Sequence, residues 1–167
     1  MIELDHDQSV LSRLVGCWQG QLAHRAAVDQ PFQHLAGTAE NRWVLGGRFV
    51  EMNLRAGTSD DTWSAVFYIG YETSERRHVL VSLEPGDRRV RTRLGEWRPE
   101  HDRLVLSSYQ TRAVCDMAIP GRLKLELAEE LVPGKEFVRF RADYRSTVAP
   151  AMLKPGEPRE RRRSVIA

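Results

Sequence analysis

From about residue 17 to residue 147 the chain alternates polar and apolar residues in short stretches, each bounded by glycine, proline or aspartate. Side chains on a strand point to opposite faces in turn, so a period of two with one apolar side marks strands with one dry and one wet face. The clearest case is Leu123, Leu125 and Leu127, which alternate with Arg122, Lys124 and Glu126. The same reading predicts strands over 17–26, 37–45, 48–56, 62–72, 77–83, 88–97, 104–109, 111–118, around 123–127, and 136–147. Gly46-Gly47, Pro85-Gly86-Asp87, Pro120-Gly121 and Pro133-Gly134 supply turn chemistry between them. The exception precedes the first strand. Val10, Leu11 and Leu14 fall at helical spacing, with Ser9 as a cap and Gly16 as the stop, so 9–15 predicts a short helical turn.

About ten strands without intervening helices imply consecutive antiparallel pairing. Closing the sheet removes its edges. The expected fold is therefore all-β: a closed up-and-down antiparallel barrel with a short N-terminal helical turn. Alternation then assigns faces. Trp18, Gly20, Leu22 and His24 share one face, Asn41 goes with Trp43, and Trp63 and Phe67 go with Tyr71. Val138, Phe140 and Tyr144 share a face, and Thr92 is placed inward with Val90 and Leu94. In 48–56 two faces compete, Phe49-Glu51-Asn53 against Val50-Met52-Leu54, and a slip of one residue exchanges them.

Three segments carry a family resemblance. Leu14-Val15-Gly16-Cys17-Trp18-Gln19-Gly20 resembles the GxW signature of the calycin superfamily, which includes lipocalins, fatty-acid-binding proteins and nitrobindins. Arg42-Trp43-Val44-Leu45-Gly46-Gly47-Arg48-Phe49, followed by Gly70-Tyr71-Glu72, resembles the DUF1579 domain within that superfamily. Glu72 stands where that family usually has aspartate, and Cys17 fills the variable position of GxW. The resemblance spans 9–147 and implies an architecture, since the family brings no established activity. In such barrels the signature tryptophan plugs the closed end, which gives Trp18 a structural role. Gly16 lets the chain bend before the strand, and Gly20 leaves room for a neighbour. An arginine late in the last strand covers the tryptophan ring in related barrels, which points to Arg145 or else Arg141. Nitrobindins bind haem through a late histidine, and no histidine follows His101 here. No cofactor is expected.

The 167 residues fit one domain, with 41% apolar and 29% charged residues. The barrel is expected over 1–149 and a mobile basic tail over 150–167. Lys154, Arg159, Arg161, Arg162 and Arg163 against Glu157 and Glu160 give that tail +3, leaving −1 of the total +2 for the rest. A near-neutral domain argues against specific nucleic-acid binding. No apolar run is long enough to cross a bilayer as a helix, and the acidic first residues do not resemble a secretory signal. A cytoplasmic protein, monomer or homodimer, is the expectation. There Cys17 and Cys115 would be free thiols, each lacking a sequence neighbour that would activate it.

The five histidines His6, His24, His34, His78 and His101 form no metal-ligand spacing, and neither a GxSxG elbow nor a phosphate loop occurs. What remains is an interior lined by aromatics with a few polar groups, the composition of a small-molecule pocket. The expected ligand-binding residues are His24, Trp43, Glu51, Trp63, Phe67, Tyr71 and Tyr144, holding a hydrophobic or amphipathic small molecule. A second reading is a small barrel isomerase, cyclase or hydrolase moving protons through His24, Glu51 or Tyr71. A third is a protein-interaction module docking through the barrel surface or the tail.

Overall fold

The period-two segments all become strands. The computed structural model describes residues 6–57, 62–84 and 90–147, so the proposed tail over 150–167 lies outside the described residues. A short helix, α1 (His6–Ser12), leads into β1 (Gly16–His24), β2 (Gln33–Val44), β3 (Phe49–Gly57), β4 (Thr62–Glu72) and β5 (Arg77–Leu83). Then come β6 (Arg91–Arg98), β7 (Arg103–Ser108), β8 (Thr111–Asp116), β9 (Arg122–Val132) and β10 (Lys135–Ser146). Every strand pairs antiparallel with its sequence neighbour, and β10 returns to β1 to close the barrel. Trp18 sits opposite Ser146 on one side and Ala39 on the other.

The barrel has two unlike ends. The turns after β2, β4, β6 and β8 lie at the end covered by α1. Val10, Leu11 and Leu14 are buried there against Trp18. The Trp18 Nε1–H and the Asn41 Nδ2–H both donate to the Leu14 carbonyl, at 3.0 and 2.8 Å, so the helix exit is bound to two strands. Arg13 fastens the same corner: it reaches the Asp102 carboxylate at 2.7 Å and the Met117 carbonyl at 2.6 Å, and lies 5.2 Å over the Trp97 ring. Gly16 makes the bend into β1 at φ 138°, where a side chain would be strained. At Gly20 the β10 backbone passes so close that a Cβ would stand 2.0 Å from the Asp143 carbonyl oxygen.

Several sequence expectations change. Ser9 lies inside α1, which begins upstream of it, so it is not the cap. In β3 the inner face is Val50, Met52, Leu54 and Ala56, which places Glu51 and Asn53 on the outer wall. In β6 the alternation runs opposite to expectation: Arg93 is buried and Thr92 is exposed. A register shift between Val138 and Phe140 breaks the alternation of β10, leaving Phe137 buried and Val138 half-buried. Arg145 does not cover Trp18. Tyr144 points inward and its neighbour Arg145 therefore outward, and among the described residues the rings under guanidinium groups are Trp97, Phe32 and Phe137. Arg141 lies over Phe32 instead.

The middle of the barrel is packed. Leu22, Val50, Met52, Leu54, Ile69, Leu104, Leu106 and Leu123 are fully enclosed, each 0% exposed. Phe49 accounts for two of the three family-like segments at once. Its ring lies across Gly70, its partner in the β3–β4 register, where a Cβ would come within 2.5 Å of the ring.

Candidate functional site at the open end

Among the described residues the opposite end carries no helix. It is formed by the far ends of the strands and, among the described residues, the connections after β1, β7 and β9. Two layers of side chains meet there. One is aromatic: His24 at the end of β1 stacks on Trp63 of β4 at 5.8 Å, and Trp63 stacks on Phe140 of β10 at 5.2 Å. Phe67 meets Phe140 edge-on at 6.4 Å. The sequence-predicted residues His24, Trp63 and Phe67 thus come together, with Phe140 as the fourth member.

The other layer is ionic. Glu129 on β9 accepts from Arg91 of β6 at 3.0 Å and from Arg139 of β10 at 2.7 Å. Below it lies Arg93, only 2% exposed. Its Nε–H donates to the Thr111 hydroxyl at 2.9 Å and its Nη1 to the Ser82 hydroxyl at 2.8 Å. Its nearest carboxylate, Glu84, stands 3.7 Å away, beyond hydrogen-bond reach, and is held instead by the Ser82 hydroxyl at 3.0 Å. Burial holds the Arg93 guanidinium below its ordinary pKa, opposed by the Glu84 charge. The layer contains Arg91, Arg93 and Arg139 against Glu84 and Glu129, a surplus of one positive charge. Sequence reasoning missed all of these residues. The available signal was arginine at every second position, Arg89, Arg91 and Arg93, which marks a face as surely as an apolar repeat does.

Around this opening six exposed apolar side chains stand among exposed polar ones such as Gln30, Gln110 and Lys135. Val28, Leu83, Val90, Tyr109, Leu131 and Val132 are exposed, and all belong to the connections or strand ends of the open side.

The remaining predicted residues lie elsewhere. Trp43 is packed against the core on the lower half of β2. Tyr71 meets His78 edge-on at 5.1 Å near the α1 end. Tyr144 is wholly buried, its hydroxyl without a hydrogen-bond partner among the described residues, and burial pushes its phenol above the usual range. Glu51 sits in an outer cluster with Asn53 at 2.8 Å and Arg42 at 3.0 Å; the Asn53 hydrogen bond chiefly holds its carboxyl below the ordinary value. Cys17 is exposed and Cys115 buried, with its thiol pushed up to about 12 by desolvation. Among the described residues no group of three His, Cys, Asp or Glu is placed to hold a metal ion.

Two hollows, of about 760 and 570 Å³, lie on the outer wall rather than inside the barrel. The larger runs across β7 to β10 and is laced with ion pairs, Arg103 to Asp116 at 3.0 Å and Arg112 to Glu126 at 3.4 Å among them. Arg103, Arg112 and Arg141 of its lining are paired with carboxylates, and Arg98 and Lys124 add to its positive side.

A ten-stranded antiparallel barrel with one end plugged by a helix and a tryptophan, and the other lined by aromatic and ionic side chains, defines the class. Within it, residues 4–113 match the model of a family described as a protein of unknown function, DUF1579, and the chain belongs to that family. The match ends in β8, so β9 and β10, which carry Glu129, Arg139 and Phe140, lie beyond it. Among solved structures the chain is similar to a protein of unknown function from the DUF3598 family of Nostoc punctiforme, at 8% identity and a TM-score of 0.27, covering 85% of this chain and 99% of that one. No curated protein matches the sequence. No helix among the described residues is long and apolar enough to cross a membrane.

Proposed function

We propose that this barrel binds an amphipathic small molecule at its open end, with the ligand seated in the mouth rather than deep in the interior. The observation that carries this reading is the meeting, in one place, of an aromatic stack and a buried cationic layer. A binding site needs apolar area for affinity and a few fixed polar groups for orientation. Trp63, Phe140 and His24 offer the first, and Arg93 with Arg91 and Arg139 the second. The exposed apolar residues around the opening extend the first outward, where the far part of a longer ligand would lie.

The packed middle of the barrel moves the seat from where the sequence placed it. Val50, Met52 and Leu54 fill the space that Glu51 was expected to share with a ligand. The catalytic alternative loses its basis for a related reason. His24 is at the mouth, Glu51 on the outer wall and Tyr71 near the closed end, so the three form no common site.

The test is a titration of isotopically labelled protein with decanoate and with 1-decanol, followed by amide shifts. Shifts should cluster at the ends of β1 and β4, at residues 109–110 and at 133–134. Trp63→Ala should weaken binding about tenfold or more, corresponding to the loss of roughly 1.4 kcal/mol or more of stacking and apolar contact. Shifts confined to the outer hollow across β7 to β10, or no shifts with either compound, would refute the reading.

A further inference from the structure

We infer that the mouth selects a carboxylate, and that the ligand's carboxylate takes the place of Glu84 beside Arg93. This rests on the proposed seat at the open end and specifies what is recognised there. A guanidinium has five N–H donors. Arg93 uses two of them at hydrogen-bond distance, on the Thr111 and Ser82 hydroxyls. Those contacts are neutral, and they fix the plane of the group without neutralising it. Ser108 reinforces the arrangement, its hydroxyl lying 2.6 Å from that of Thr111. Among the described residues its counter-charge comes from Glu84, at 3.7 Å, and from the more distant Glu129, which is already bonded to Arg91 and Arg139. A buried charge without a directly bonded partner is costly, and a sequence selected for stability alone would close such a gap or fill it with apolar groups. The geometry instead leaves the Nη edge of Arg93 oriented and buried, with Glu84 close but not in tight two-pronged contact, and a planar two-oxygen anion could make that contact.

Glu84 is positioned as an exchangeable occupant. It is the residue after β5, at the opening, and its side chain retains 10% exposure where Arg93 keeps 2%. Turning outward, it would move its carboxylate into solvent and leave the space to another. The incoming anion would find the Ser82 hydroxyl, which now donates to Glu84, as a further donor. The aromatic stack of Trp63, Phe140 and Phe67 then faces whatever is attached to the carboxylate. The fitting ligand class is a monocarboxylate with an apolar chain or ring system. Alcohols, esters and amides of the same skeleton lack the charge that would compensate Arg93.

The experiment compares decanoate with 1-decanol and methyl decanoate by calorimetry on the full chain. The wild type should bind decanoate at least tenfold more tightly than either neutral analogue. Glu84→Gln should tighten decanoate several-fold and leave decanol unchanged, because it removes the competing anion and nothing else. Arg93→Met should abolish the preference for decanoate over the neutral analogues; should that variant fail to fold, Arg93→Lys should reduce the preference by losing the two-pronged geometry. Equal binding of all three compounds, or a Glu84→Gln protein that prefers decanoate no more than the wild type does, overturns the carboxylate assignment while leaving the mouth as a binding site. Absence of binding by all three compounds removes the seat itself and the assignment with it.

Discussion

The closed end and the open end of this barrel bury similar kinds of surface by opposite rules. At the closed end Trp18 and Asn41 carry polar groups into the core that hold the backbone, beside the buried imidazole of His78. Trp18 and Asn41 both donate to one carbonyl of the helix exit, and Arg13 lies outside, where water still reaches it. At the open end a guanidinium is carried inward and answered by hydroxyls and a carboxylate just out of reach. The first arrangement lowers the free energy of the fold. The second spends some of that stability on an oriented charge. Within one continuous sheet the chain thus separates a plugged end from the end proposed to meet a ligand.

The sharpest way to break this contrast is to remove the side chains that define each end. Trp18→Ala should lower stability by about 3–5 kcal/mol, as read by urea unfolding, because it empties the plug against α1. Replacing both Arg93 and Glu84 by Met should instead leave stability unchanged or raise it by about 1–4 kcal/mol, the usual result when an imperfect buried ion pair is exchanged for apolar groups. A double variant that destabilises as much as Trp18→Ala would make the ionic layer structural and erase the distinction. Thiol chemistry gives an intermediate readout. Cys17 should react with a disulfide reagent in the native state, whereas Cys115, buried and with its thiol pushed up to about 12, should react only as the barrel opens. The smallest effect concerns the outer wall. The Asn53 hydrogen bond chiefly lowers the Glu51 carboxyl from its ordinary 4.5, so the folded state favours the ionised form. That contribution is present above the ordinary value and is lost as the pH falls through the lowered one. Glu51→Gln should therefore flatten the acid limb of a stability–pH curve slightly and leave ligand binding at the mouth untouched.

The strand pattern was legible because each inward face along most of the barrel is apolar, and an apolar repeat has one physical explanation. β4 and β5 come out with the predicted bounds. The closed end was legible too, through Gly16, Trp18 and the helical triplet Val10, Leu11 and Leu14. Reading failed where the inner face stops being apolar. In β6 the rule that oil goes inward selects Val90 and Leu94, yet Val90 is exposed and Arg93 buried. The energy that reverses the preference comes from Ser82 on β5 and Thr111 on β8, residues 11 and 18 positions away in sequence, and no local pattern announces that they will meet. In β3 both faces carry a residue that could be buried, and only the register against β2 and β4 decides between them. His24, Trp63 and Phe67 were found as aromatic members of inward faces. Their convergence with Phe140 depends on strand ends meeting across the barrel, which alternation along a single strand does not encode.

The seam between the first and last strands has a practical corollary. The Thr147 amide bonds the Cys17 carbonyl at 2.9 Å, so the chain leaves β10 beside the spot where it enters β1, at the plugged end. A fusion partner or surface tether attached beyond residue 147 would hang the barrel by its shut end and present the opening outward. A circularly permuted chain, with the segments flanking β1 and β10 joined by a linker and new ends cut at Pro133-Gly134, would keep every strand pair except the β9–β10 hairpin covalent order.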